Sequence, residues 1–195
     1  PKGKRVLFSR FLFLIIPFCI IILLLSRFVF FCGLDTSYPC LYLQDSNSFS
    51  DFRMIDLFYE ASNAGVKIEL IIRGICCLIP GIKGMSENIK VISIVDRFLE
   101  HPRVYRFYNQ GQNDLFISSA DFMGRNLDSR VEIACPIYDE DIKAEIIATM
   151  DICWKDNTKA REICAKQLNN YVVNDELPVR SQYATYEFYK NQITK

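Results

Sequence analysis

Histidine is nearly absent from this 195-residue chain: His101 is its only one, as Trp154 is its only tryptophan. The eight cysteines include no C-x-x-C pair, and one histidine cannot complete a Cys/His set, so a zinc centre lacks its ligands. Charge of neither sign is in excess, with 23 Lys+Arg against 23 Asp+Glu. No global basic field therefore draws the chain to nucleic acid. Also missing are a Walker A loop, a G-x-S-x-G elbow, a dinucleotide fingerprint and any internal repeat. Cys76, Cys77 and Cys135 sit in apolar runs and read as small buried hydrophobes in a reducing compartment.

What is present in abundance is apolar side chain, 50% of all residues. The composition divides the chain near residue 45. Lys2, Lys4, Arg5 and Arg10 precede Phe11–Leu25, FLFLIIPFCIIILLL, and the apolar run resumes from Phe28 to Leu34. Basic residues before an apolar run suggest a helix-like anchor whose N-terminus stays in the cytoplasm. A span needs about 20 residues to cross about 30 Å. Extending this one to Leu34 includes Arg27, at about 2.5–3.5 kcal/mol near the bilayer centre. Translation of a shifted reading frame would give a similar composition. Residues 1–45 are thus expected to be an apolar segment, either a membrane anchor or a gene-model artefact, with membrane association through residues 7–34. The first residue is Pro1, which suggests a fragment, a processed chain or an incomplete gene model. Residues 46–195 are expected to form one α/β domain, in the cytoplasm or on the cytoplasmic face of a membrane.

Within that domain, Asp45–Asp51 reads as a linker into a helix capped by Ser50, with Asp51 suiting its positive end. Met54, Leu57, Phe58 and Ala61 give the helix one apolar face, and Gly65 ends it. Strands are expected at Val66–Ile72, Ile89–Ile94, Arg103–Tyr108, Leu115–Ser119 and Arg130–Ile137. The first of them delivers Arg73-Gly74 at its carboxyl end, where ligands gather in open α/β sheets. Asp96–Glu100 reads as a short helical turn, and Pro102 keeps His101 out of helical conformation. The C-terminal part is expected to be helical: Asp139–Trp154, a shorter helix around Ile163 and Leu168, and a last one bearing Tyr183, Tyr186, Phe188 and Tyr189 as core or docking residues.

The stretch Val95–Asp121 concentrates the candidate chemistry. His101 lies among Arg97, Arg103 and Arg106, ahead of the turn Ser118-Ser119-Ala120-Asp121. Taken alone, this fits either phosphate chemistry or a half-buried histidine at a strand edge beside solvated arginines.

Longer motifs decide between them. IRGICC (Ile72–Cys77), LIPGIKGMSENI, SIVDRFLEHPRVYRF and FISSADFMGRNLDSRVEIACPI occur in that order, and Asp156–Arg161 reads DNTKAR. Over about residues 50–195 the chain resembles the C-terminal catalytic region of the long bacterial polyphosphate kinases. That resemblance implies a phospholipase D-like mixed sheet flanked by helices. It likens His101-Pro102-Arg103, the Ser118–Asp121 turn and Glu132 to that fold's His-x-Lys, Gly-Ser-x-Asn and Glu, with Arg in place of Lys.

The resemblance also implies transfer of the terminal phosphate of ATP to inorganic polyphosphate, with magnesium and a phosphohistidine intermediate, in enzymes that are homo-oligomers. By the same similarity Arg73 and His101 match positions that contact ATP phosphates, and His101 is the catalytic candidate. Arg103, Ser118, Ser119, Arg125 and Asn126 either line the same pocket or serve the turn and strand end. Asp121 and Asp128 are expected to be local caps or partners of Arg125 and Arg130. The phosphorylated histidine of the family lies in a preceding homologous domain, which nothing in residues 1–49 resembles. The magnesium ligands are likewise not expected in this chain. The turn NQGQND replaces a Gly-Gly turn, and Phe122 stands where Trp is usual. Three readings follow: a truncated kinase, a non-catalytic ATP- or polyphosphate-binding or assembly module, and a membrane-anchored phospholipase D-like phosphodiesterase.

Overall fold

The computed structural model describes residues 14–15, 41–45, 48–108 and 111–193. Its strands are β1 (Leu14–Ile15), β2 (Leu41–Asp45), β3 (Ser48–Phe49), β4 (Ile68–Ile72), β5 (Ile75–Cys76), β6 (Ile89–Ile94), β7 (Arg103–Phe107), β8 (Asp114–Ser118), β9 (Ile133–Ile137) and β10 (Ala160–Ile163). Eight of them join in one sheet, in the order β1-β9-β8-β7-β2-β4-β6-β10, while β3 and β5 form a separate parallel pair. β2, β4 and β6 run parallel, and every other neighbour in the large sheet is antiparallel. The helices are α1 (Phe52–Asn63), α2 (Gly124–Ser129), α3 (Glu140–Trp154) and α4 (Ser181–Ile193).

Strand alternation sorts the core into two layers. Leu41, Leu43, Ile68, Leu70, Ile72, Tyr105 and Phe107 pack with Met54 and Phe58 of α1 on one face. Tyr42, Ile71, Ile92 and Val104 pack with Met150 of α3 on the other. The α/β expectation is met: the sheet is mixed and has helices on both faces. Asp51, not Ser50, caps α1, its side chain accepting from the Met54 amide at 3.1 Å. Gly65 follows the helix at φ +88°, a left-handed position that glycine adopts without strain.

Five features depart from the sequence-based expectations. Leu41–Asp45, on the apolar side of the compositional boundary near residue 45, is a central strand between β4 and β7. Only its first three residues are apolar, and Gln44-Asp45 run on into the polar stretch after it, so no alternating pattern marks it. Ser48–Phe49, expected in a linker, is a buried strand, because Phe49 packs edge-on against Phe58 and beside Phe122. Residues 96–100 are irregular, with a bend at 97–98, instead of a helical turn. Ala160–Ile163 is an edge strand on β6, not part of a helix around Ile163 and Leu168. Before Leu41 only Leu14–Ile15 is described, and it pairs with β9 as strand rather than helix. The other residues before Leu41 lie outside the described residues. Among the described residues, no helix is long and apolar enough to cross a membrane.

Candidate functional site

Strand register assembles the site. Asp45 at the end of β2 pairs with Ile72 of β4 on one side and Arg103 of β7 on the other. With strands about 4.8 Å apart, the backbone at residues 72–73 lies about 10 Å from that at Arg103. On the far side of β7, Val104 pairs with Ile117, so one further step sets Arg103 against Ser118, which itself faces Ala134 of β9. Arg73, His101 and the Ser118–Asp121 turn, scattered in sequence, therefore meet at one edge of the sheet. It is the edge where β2, β4 and β8 end, the usual place for ligands in α/β sheets.

The side chains at this edge are held by specific bonds. Arg103 donates from Nε to Oδ1 of Asp121 at 2.7 Å, and Asp121 is buried. His101 is partly exposed. Its Nε2 lies against Nη2 of Arg103 and 3.7 Å from the same Asp121 oxygen. The partners expected for the aspartates were therefore wrong: Asp121 serves Arg103 and His101, and Asp128 pairs with Arg53 at 2.8 Å. Of the three arginines near His101 in sequence, only Arg103 faces it. Arg106 turns to Asn113 and Asp151, and Arg97 to Tyr183.

The turn residues are engaged internally. The Ser118 hydroxyl accepts from the Ala120 amide at 3.1 Å. The Ser119 hydroxyl donates to Glu132 and accepts from the Ile133 amide. Asn126 is buried and donates to the other oxygen of Glu132 at 2.7 Å. Glu132 is thus the anchor of the turn, with one oxygen for Ser119 and one for Asn126. Arg125 is exposed on α2. The Tyr105 hydroxyl ties the Ala120 carbonyl at 3.0 Å, and Phe122, stacked on Tyr105, carries the chain into the core.

The loop before His101 is clamped by the start of α4 and the residue preceding it. Asp96 takes two hydrogen bonds from Arg180, at 2.8 and 2.6 Å, which hold its carboxyl below the usual range. Gln182 accepts from the Phe98 amide at 3.0 Å and donates to the Phe98 carbonyl at 2.9 Å. Tyr183, Tyr186 and Tyr189 face outward from the same helix rather than into the core. His101 borders a cavity of about 330 Å³ that reaches Thr149, Cys153 and Tyr189. Burial pushes the Cys153 thiol up to about 12, which disfavours its thiolate.

Arg73 is half-buried, and its backbone carbonyl accepts from Ser93 at 3.3 Å. No carboxylate among the described residues pairs with its guanidinium. Its charge is therefore not offset by an ion pair among the described residues. Arg103, by contrast, is committed to Asp121. Neither aspartate-to-arginine pairing nor the Glu132 anchor was visible in sequence, since each partner lies on a different element.

The mixed sheet, the edge histidine and the serine turn anchored on a glutamate define a phospholipase D-like α/β domain. In agreement, the fold overlaps that of a phospholipase D family member, Nuc from Salmonella typhimurium, with a TM-score of 0.51 at 14% identity over 74% of this chain and 90% of that one. Residues 40–182 match the family model for polyphosphate kinase C-terminal domain 2, and the chain belongs to that family. It is 50% identical to a polyphosphate kinase of Vibrio vulnificus over 146 residues, which is 74% of this chain and 21% of that protein. The crystal structure of polyphosphate kinase from Porphyromonas gingivalis superposes with a TM-score of 0.83 at 42% identity, over 89% of this chain and 26% of that one. The chain thus spans about a fifth of the curated relative's length.

The family implies magnesium, and the residues at this edge do not fit it. Asp121 is occupied by Arg103, and both oxygens of Glu132 are taken. No group of three potential ligands exists among the described residues.

Proposed function

We propose that this chain supplies one half of a phosphoryl-transfer site acting between ATP and inorganic polyphosphate, with Arg73 and His101 meeting the phosphates. The observation that carries this reading is the register of β4, β2 and β7, which brings an unneutralised guanidinium and an imidazole to one open sheet edge. A guanidinium makes bidentate, charge-assisted contacts to phosphate oxygens. Phosphoryl transfer depends mainly on positioning and charge stabilisation, and an imidazole can exchange a proton with a phosphate oxygen. In this reading Asp121 and Arg103 position His101, and Glu132 fixes the serine turn beside it. Ser118, Ser119 and Asn126 serve that turn rather than touch phosphate.

The nucleophilic histidine belongs to the other half of the site. His101, the one histidine here, matches the assisting position. Purified chain incubated with labelled ATP, magnesium and a polyphosphate primer is expected to give no chain elongation. Robust elongation would overturn the division of roles.

Binding tests the phosphate-contact role directly. Titrated with tripolyphosphate, Arg73→Ala is expected to bind about 10- to 100-fold more weakly than the parent, a loss of about 1.5–3 kcal/mol. Arg125→Ala, on the exposed face of α2, is expected to change affinity by less than about threefold. Equal losses at both positions would indicate a diffuse electrostatic surface and not a site.

A further inference from the structure

We propose that Gln182 is a positioning residue for His101: its carboxamide grips the backbone of Phe98 and so fixes where the imidazole stands at the sheet edge. This rests on the reading of His101 as a phosphate contact. The segment concerned is residues 95–102, which joins β6 to β7 without regular structure beyond its bend. Burial does not anchor it. Val95, Phe98 and Leu99 are 58%, 54% and 77% exposed, so its apolar side chains contribute little to holding its shape.

Polar contacts hold it instead. Gln182, itself buried, accepts from the Phe98 amide at 3.0 Å and donates to the Phe98 carbonyl at 2.9 Å. These are the two bonds that facing residues exchange across an antiparallel ladder, made here by one side chain. A single bond would leave the backbone free to swing about it, whereas two bonds to one residue fix its orientation. Arg180 adds a second attachment at Asp96. Asp96 is further from His101 and is held through its side chain, while Phe98 is nearer and is held by its backbone. On the other side of His101, Pro102 restricts it to extended conformations, and Arg103 opens β7. With Phe98 and Arg103 both fixed, only residues 99–102 span the two anchors.

The same helix walls the space beside the imidazole. Thr185 and Tyr189, about one and two turns beyond Gln182, line the cavity that His101 borders. The placement of α4 and that of the imidazole are thus coupled through Gln182.

His101 is the only histidine of the chain, so its imidazole gives a single Cε1–H proton resonance. The test follows that resonance in the full chain, alone and with tripolyphosphate. Gln182→Met keeps the length of the side chain and loses both bonds. Gln182→Asn, a methylene too short to reach both groups, keeps the polarity and serves if the methionine variant folds poorly. Either is expected to move the resonance toward its position in urea-unfolded chain and to weaken tripolyphosphate binding about three- to tenfold. Tyr186→Ala, on the exposed face of α4, is expected to leave both readings as in the parent. A residue that only stabilises the helix would lower the Tm while the folded protein kept the parent resonance. That result would overturn the proposal, as would an equal displacement of the resonance in Tyr186→Ala. Movement of the resonance in Gln182→Met, with a parent chain that fails to bind tripolyphosphate, would uphold the positioning role and sink the phosphate reading alone.

Discussion

Asp121→Ala is expected to destabilise the domain by about 3–5 kcal/mol, because it leaves the Arg103 guanidinium partly buried without its carboxylate. For a chain of this length that is a fall in Tm on the order of 10 °C. The side chains of Asp121 and Arg103 are only 3% and 17% exposed, so solvent cannot take over the lost contact. The double variant Asp121→Ala/Arg103→Ala should be less destabilised than Asp121→Ala alone, since removing both charges removes the unpaired ion. Urea unfolding of both single variants and the double variant measures the coupling. Simple additivity would show that the two residues do not act as a pair. The same cycle bears on function, because Arg103 is the group against which His101 rests.

The second large effect is expected at Asp156, a carboxylate with no exposed surface. Its Oδ1 accepts from the amides of Thr158, Lys159 and Ala160 at 2.9, 2.6 and 3.1 Å, and its Oδ2 from the amide of Ser181 at 2.7 Å. One side chain thus joins the end of α3, the start of β10 and the first residue of α4. Asp156→Ala orphans four amides, each costing about 1–3 kcal/mol when buried, with partial relaxation reducing the sum to about 3–5 kcal/mol. The loss should also loosen the loop before His101, since Arg180, just before α4, and Gln182, within it, both hold that loop. Burial alone would raise the Asp156 carboxyl, but the bonds from Lys159, Ser181 and Thr158 outweigh it and hold the group below its ordinary range. A depressed carboxyl stabilises the fold fully above the unfolded value of about 3.9. That contribution fades as pH falls from there through the lower folded value. Melting curves of Asp156→Asn should therefore vary less with pH over this acidic window than those of the parent. An unchanged slope would remove Asp156 from the acid response.

Much of this architecture is readable along the chain. α1 shows its face in Met54, Phe58 and Ala61, and its end in Gly65. β6 is an unbroken apolar-rich run bounded by a polar loop, and its limits are those expected. β2 is not readable, because Leu41–Asp45 has only three apolar residues and then runs into a polar stretch. β10 misleads for a related reason. Ile163 and Leu168 look like one helical face, yet Leu168 lies in the turn beyond the strand. The cysteines mislead too, since an apolar neighbourhood in sequence does not fix exposure, and Cys77 faces solvent.

The sequence by itself determined the chemistry on offer: one imidazole, a guanidinium after an apolar strand, a serine turn and a family of phosphate-handling folds. Those are properties of residue type and of spacing within one element. Only the tertiary structure decided which charge meets which. Asp121 serves Arg103 and His101, Glu132 anchors Ser119 and Asn126, and Arg73 is left without a carboxylate partner among the described residues. The physical reason is that strand register sets these pairings across non-neighbouring strands. Shifting a strand by one residue would turn each of its side chains to the opposite face, and that register depends on packing in both core layers at once.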